Sequence, residues 1–252
     1  MYRRLVRTEV RFFTLPEAMP RVDILKLRCL SAPYPGVENE SLPTVVIDLA
    51  PPEDALWNGV DVQTRKAIRQ AEREGVQVGR VSELSAELWN RFYAAYQKLR
   101  SRKKAADPLG IGQISELIER DSYVMTTSRD ANGTILSWHG YVYGSGKVRL
   151  VNTISDIDPS RGTQWNNLIG RAHRLHHWKD MLLFKEDGAE TYDLGGVYRG
   201  TADQEQINIA KFKMRFGGSP AETYDAVLPL TVKGRFALLL LAKISAEARS
   251  GG

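Results

Sequence analysis

The spacing of apolar residues changes period several times along the chain, and each change marks an element. Residues 21–30 (RVDILKLRCL) alternate at roughly period two, and 44–50 (TVVIDLA) form a short apolar run; both predict strands. The proline-rich piece between them, 32–43, reads as a loop. Residues 51–59 (PPEDALWNG) break the pattern. A helix follows over about 60–74, capped by Asn58 or Asp61 and stopped by Gly75. VQVGRV (76–81) predicts a strand. Ser85 then caps a helix with Leu88, Phe92, Tyr96 and Leu99 on one face, ending in the basic residues Arg100, Arg102, Lys103 and Lys104. A shorter helix covers 113–120.

Residues 122–154 predict a meander, with Asn132-Gly133 and Gly144-Ser145-Gly146 as its turns. From Thr163 the period becomes 3.6, through Trp165, Leu168, Ile169, Ala172, Leu175 and His176, and the helix runs to near Gly188. A strand at 190–196, a helix near 203–215, a strand at 222–229 and a last helix over about 232–249 complete the chain. Ala237, Leu238, Leu241, Ile244 and Ala248 make an ordinary core stripe on that last helix, so burial is expected there rather than attachment to an anionic membrane surface through Lys233, Arg235 and Lys243. Strands, a meander, a crossing helix and another strand make a mixed, mostly antiparallel α/β sheet flanked by helices, not a doubly wound array.

Composition narrows the classes. At 252 residues the chain is long enough for a substantial core. A single cysteine excludes an internal disulfide framework and a cysteine-cluster zinc site, and fits a reducing cytoplasm. There is no apolar run of membrane-spanning length, and the charged start MYRRLVRTEVRFF is not a secretory leader. The net charge of +5 permits a polyanionic partner. The oligomeric state is not legible.

Several constellations carry possible chemistry. Arg65, Arg69 and Arg73 stand at i, i+4 and i+8 beside Lys66, so they share a helix face. Such a face is either solvated or a phosphate site for a tRNA backbone, a nucleotide-linked acceptor or a CoA diphosphate. Asp193, before Gly195-Gly196, either orients a reacting group or caps its own turn, the second being the simpler reading. Gly196 and Gly217 are expected at positive φ. Alternation puts His139 on the face of Tyr141 and opposite Trp138, so one of the two faces a cleft. His173 and His177 stand at i, i+4, the spacing that can share a metal; no HExxH pattern accompanies them, and the expectation is a structural helix without metal.

Three blocks resemble one known family. Arg65-Lys66-Ala67-Ile68-Arg69-Gln70-Ala71 with Gly75-Val76 is similar to the basic helix of Fem peptidyltransferases. Tyr192-Asp193-Leu194-Gly195-Gly196, then Phe212-Lys213 and Phe216-Gly217-Gly218, resembles the family's Y-D-x-G-G and F-K-x-x-F-G-G signatures. The resemblance covers roughly 45–226 and implies a GNAT-like acyltransferase fold. The implied organisation is one domain over 1–252: an N-terminal strand section 1–50, a Fem-like core 51–226 and a C-terminal helix and tail 227–252. Fem enzymes use aminoacyl-tRNA as donor to an amine acceptor. The resemblance implies oxyanion stabilisation by Lys213, with Asp193 as a second catalytic candidate. Phe212, Tyr198, Arg199, His139 and Trp138 are then the substrate-binding candidates. Arg65, Lys66, Arg69, Arg73 and Arg161 are the phosphate or tRNA candidates. This chain is shorter than typical two-domain members and lacks their long helical hairpin, which suits a peptidoglycan precursor less than a small peptide or natural-product acceptor. Where GNAT acetyltransferases carry a Q/R-x-x-G-x-G/A loop, 158–164 reads DPSRGTQ, which argues against acyl-CoA as donor. The alternatives are an acyl-CoA N-acyltransferase on the same fold and, from another class, a non-catalytic nucleic-acid-binding module.

Overall fold

A computed structural model describes residues 6–103, 111–119, 122–155 and 159–250. Lys104, Arg120, Asp158 and the Gly251-Gly252 tail lie outside the described residues. The strands are β1 (Thr8–Phe12), β2 (Ile24–Leu30), β3 (Asn39–Asp48), β4 (Gln77–Arg80), β5 (Tyr123–Arg129), β6 (Ile135–Gly144), β7 (Lys147–Ser155), β8 (Thr191–Gly196) and β9 (Ser219–Pro229). The helices are α1 (Glu53–Gly59), α2 (Val62–Arg73), α3 (Ala86–Lys103), α4 (Ile111–Glu119), α5 (Gly162–Glu186), α6 (Gln204–Met214) and α7 (Val232–Ser250).

The chain divides into two compact units. Residues 44–220 form the larger. Its strands run in the order β3-β8-β7-β6-β5-β4. All of these pairs are antiparallel except β7 with β8, which run parallel. The two hairpin turns fall where the sequence puts them, with Gly133, Ser145 and Gly146 at positive φ. The 3.6 period of α5 is a buried stripe: Ile169, Ala172, Leu175, Met181 and Phe184 pack with Leu136, Tyr141, Val148, Tyr192 and Leu194 of the sheet. α2 adds Ile68 and Ala71 to this core. Asp61, not Asn58, caps α2 by accepting from the amides of Gln63 and Thr64. Glu72 of α2 pairs with Lys179 of α5, and Glu74, which caps the end of α2, pairs with Arg171.

Residues 1–43 and 221–252 form the second unit. β1 runs parallel to β2, and β2 antiparallel to β9. Leu25, Leu27, Leu30, Ala226 and Leu228 make its core. Cys29 sits at φ 57 in a break of register, where Asp225 accepts from its amide at 2.8 Å and pairs with the Arg28 guanidinium.

Three expectations need correction. The 51–59 segment is not a break but the helix α1: the prolines precede it, and Glu53 and Asp54 occupy the first turn, where acidic groups suit the helix dipole. β3 begins at Asn39, inside the expected loop. The core stripe of the last helix is only partly buried over its described part: Ala237 and Leu238 are half-buried, but Leu241 is 57% exposed, and Phe236, Leu239 and Leu240 beside the stripe are exposed as well. α7 is tied down at its start instead: Thr231 Oγ1 donates to Asp23 Oδ1 at 2.9 Å, and Gly234 lies against the Asp23 carbonyl, where a side chain would not fit.

Candidate active site

β8 delivers Asp193, and both oxygens of its carboxylate are engaged. Oδ1 accepts from the Thr44 hydroxyl and, at 2.7 Å, from the Gly195 amide. Oδ2 accepts from the Arg149 guanidinium at 2.6 Å. The pair is almost wholly buried, with side chains 9% and 8% exposed. This is the turn-capping arrangement, extended by an ion pair across the parallel β7–β8 junction. The residue at positive φ is Gly195 (79°), not Gly196, because the chain must double back for the Gly195 amide to reach Asp193. Gly217, at φ 84, meets the expectation; its Cα side faces the Gly59 carbonyl.

α6 brings Lys213 to this turn. Its Nζ donates to the Gly196 carbonyl at 2.6 Å and stands 3.7 Å from where a Cβ on Gly195 would lie. Removal from water pushes the Lys213 ammonium down to about 8, against the opposing field of Asp193. Three N–H groups with one spent on Gly196 leave two to donate. Lys213, Asp193, Arg149 and Gly195 therefore form one constellation from four parts of the chain.

Phe212 links that constellation to a second. Its ring stacks on His173 (5.3 Å between centroids, 6° between planes) and leans on His177 at 5.6 Å. All four histidines of the chain gather here. His139 shares the face of Tyr141, as alternation requires, and its Nδ1 lies 2.8 Å from Asp180 Oδ2. Tyr141 and Thr126 also donate to Asp180 Oδ2. His176 is spanned by Thr126 and Ser137 hydroxyls at 2.9 and 2.7 Å. Desolvation drives every imidazole down, His139 to about 3, and pushes the Asp180 carboxyl up to about 8. The rings are thus neutral at pH 7.

The remaining candidates stand elsewhere. Trp138 is buried edge-on against Phe92, a core contact and not a cleft wall. His139 is fully buried. Tyr198 and Arg199 are exposed in the loop after β8. The basic face of α2 is partly occupied: Arg65 donates to the Trp57 and Asn58 carbonyls at 3.1 and 3.0 Å, Arg69 lies over the Trp57 ring, and Arg73 reaches Gln70. Lys66 is exposed. Arg161 sits at the start of α5, 3.2 Å over the Trp165 ring. These side chains are not brought to Lys213 by any contact described. Arg149, Thr44 and Asp180 are absent from the sequence expectations, and His139 figures there apart from His173 and His177; only the pairing of β8 with β3 and β7 and the crossing of α5 bring these groups together.

No family model matches the chain, and no curated protein does. Solved structures do. FemX matches with a TM-score of 0.58 at 15% identity, over 74% of this chain and 62% of that one. The C-terminal domain of a putative lysylphosphatidylglycerol synthetase from Agrobacterium fabrum gives 0.54 at 12% identity, over 86% and 71%. L-PGS from Bacillus licheniformis gives 0.53 at 13% identity, over 87% and 72%. The fold is Fem-like. The chain spans about three-fifths of the length of FemX. No helix among the described residues is long and apolar enough to cross a membrane.

Proposed function

We propose that the chain is an aminoacyltransferase that moves an aminoacyl group from a tRNA ester to an amine acceptor of small-peptide or nucleotide-linked type. The observation that carries this reading is the Lys213 ammonium, partly desolvated yet held by the Gly196 carbonyl beside a glycine turn. In the proposed reaction the acceptor amine attacks the ester carbonyl carbon. The C–N bond forms and negative charge grows on the carbonyl oxygen. The two remaining N–H groups of Lys213 stabilise that oxyanion in a low-dielectric setting, where such donors act most strongly. As the tetrahedral species collapses, the C–O bond to the ribose breaks and the amine proton ends on the departing ribose oxygen. Asp193 has no role as base here. Its oxygens are committed to Thr44, Gly195 and Arg149, so it fixes the turn that carries the Gly196 carbonyl. No covalent enzyme intermediate is needed, and Cys29 lies in the other unit.

Labelled aminoacyl-tRNA and acyl-CoA, each offered with a panel of amines, test the reading. Amide product from aminoacyl-tRNA alone supports it. Product from acyl-CoA alone moves the chain to a CoA-dependent acyltransferase. Binding of tRNA without turnover makes it a nucleic-acid-binding module.

A further inference from the structure

The histidine cluster is not used by that chemistry. His139 on β6 and His173 and His177, one turn apart on α5, each present a ring nitrogen within 4.8 Å of the other two. Their ring centroids lie 4.4 to 5.0 Å apart. One nitrogen of each ring meets an oxygen. His139 Nδ1 meets Asp180 Oδ2 at 2.8 Å, His177 Nδ1 meets the Tyr192 hydroxyl at 3.1 Å, and His173 Nε2 meets Thr153 Oγ1 at 3.0 Å. An oxygen partner on the far nitrogen fixes the tautomer and aims a lone pair at the opposite side of the ring. That is the outer shell a metal-bound imidazole needs, the Asp180–His139 pair being the carboxylate–histidine form of it.

His139 Nε2 supplies an independent sign. It belongs to a wholly buried side chain and has no hydrogen-bond partner. Native proteins rarely leave such an atom orphaned. Nothing in the fold requires it: the fourth histidine, His176, stacks on His139 at 3.7 Å and has both nitrogens on hydroxyl oxygens. His176 also converges with His139 and Asp180, but both of its nitrogens are already held by hydroxyls, which leaves His139, His173 and His177 as the set with a nitrogen to offer.

We propose that His139, His173 and His177 bind one divalent transition-metal cation of the zinc class, with Asp180, Tyr192 and Thr153 orienting them. Three neutral imidazoles suit Zn²⁺, Co²⁺, Ni²⁺ or Cu²⁺ and not the oxygen-seeking Mg²⁺ or Ca²⁺. Bonds of about 2.0–2.1 Å place tetrahedral nitrogens roughly 3.4 Å apart, so the rings close by no more than about 1.4 Å on binding. Three protein ligands leave a fourth position open. The site adjoins the proposed active site through the Phe212–His173 stack but does not depend on that reading, because its test is binding and not turnover.

The probe is metal alone. Protein stripped with a chelator is titrated with Co²⁺, followed by visible absorption, then with Zn²⁺ in competition. One saturating equivalent is expected, with d–d bands of a four- or five-coordinate site that Zn²⁺ abolishes. His173 is only half-buried, so His173→Gln is the variant best placed to fold, checked by circular dichroism. It should lose about 100-fold or more in affinity, and Zn²⁺ should raise the melting temperature of the parent but not of the variant. His139→Gln should behave alike if it folds. A parent that takes up no stoichiometric Co²⁺ or Zn²⁺, or a His173→Gln protein that binds as the parent does, overturns the site whatever the transferase assay gives.

Discussion

Two buried polar clusters meet neighbouring residues of α6, one at Lys213 and the other at Phe212, and they solve the cost of burial in opposite ways. Around Asp193 the charges are kept and paired: carboxylate with guanidinium, with an ammonium beside them and hydroxyl and amide donors filling the rest. Around Asp180 the aromatic and imidazole groups shed their charge, and hydroxyls and neutral rings hold the carboxyl. Yet this second cluster retains an orphaned nitrogen on His139 and an orphaned oxygen on Asp180, whereas the Asp193 carboxylate has no orphan. A paired cluster is complete without a ligand. The neutral one leaves a nitrogen of His139 and an oxygen of Asp180 to be satisfied, which is where the proposed cation would act.

The largest expected effect separates the two carboxyls. Asp193→Asn leaves Arg149 buried without its counter-charge, a loss of the order of 3–5 kcal/mol in stability. Asp180→Asn breaks no ion pair, since an amide oxygen still accepts from Tyr141 and Thr126; about 1 kcal/mol is expected. Denaturant unfolding of both, on chelator-treated protein, measures the difference, and equal losses would erase the distinction drawn above.

Next is Lys213→Met, which keeps the stem and removes the charge. Loss of one such donor costs about 2.7–4 kcal/mol in the transition state, 10²–10³ in rate, with donor affinity nearly unchanged because the ground-state carbonyl carries little charge. A loss confined to donor affinity would make Lys213 a ligand for phosphate instead. pH sharpens the point. With the ammonium titrating at about 8, kcat should fall tenfold per unit as pH rises above that value. Lys213→Arg, charged throughout, should lack this limb. Unfolded lysine titrates near 10.5, so between about 8 and 10.5 the unfolded chain holds the extra proton; stability should rise with pH across that window in the parent and not in Lys213→Met.

How far the sequence carried depended on range. Local signals sufficed for α5, whose apolar stripe is the buried one, and for the two hairpins, whose turns need positive φ at Gly133, Ser145 and Gly146. The Fem-like fold was legible from three short blocks. α1 was not, because prolines that open a helix look the same as prolines that end a pattern. The exposed face of α7 was not, because an apolar stripe does not say whether anything covers it. Arg65 and Arg69 formed a basic face on paper, but α1 lies within reach and takes both side chains. The histidines show the limit most clearly. The i, i+4 spacing of His173 and His177 was visible, and so was His139 in mid-strand; their meeting required the crossing of α5 over β6. The one available sign was that the chain's four histidines fall in just two places.

The smallest effect tests why the paired cluster holds its shape. Gly195 has three duties at once: its amide donates to Asp193, its φ of 79° turns the chain, and its bare Cα lets the Leu150 carbonyl approach. A Cβ there would lie 2.8 Å from that carbonyl oxygen and 3.7 Å from Lys213 Nζ. Backbone cannot yield as a flexible side chain does, so Gly195→Ala should destabilise by about 1 kcal/mol or somewhat more, the cost of a left-handed residue plus the close contact. Gly196 is not at positive φ, and Gly196→Ala should cost less. Any movement of the turn also shifts the Gly196 carbonyl that holds Lys213, so Gly195→Ala should lower kcat while Co²⁺ binding at the histidines stays at the parent value. Thermal melts, turnover and the cobalt spectrum of this one variant then report on the two clusters separately. A Gly195→Ala protein that melts and turns over like the parent would show that the turn is held by the Asp193 carboxylate alone, and that the glycine is incidental to it.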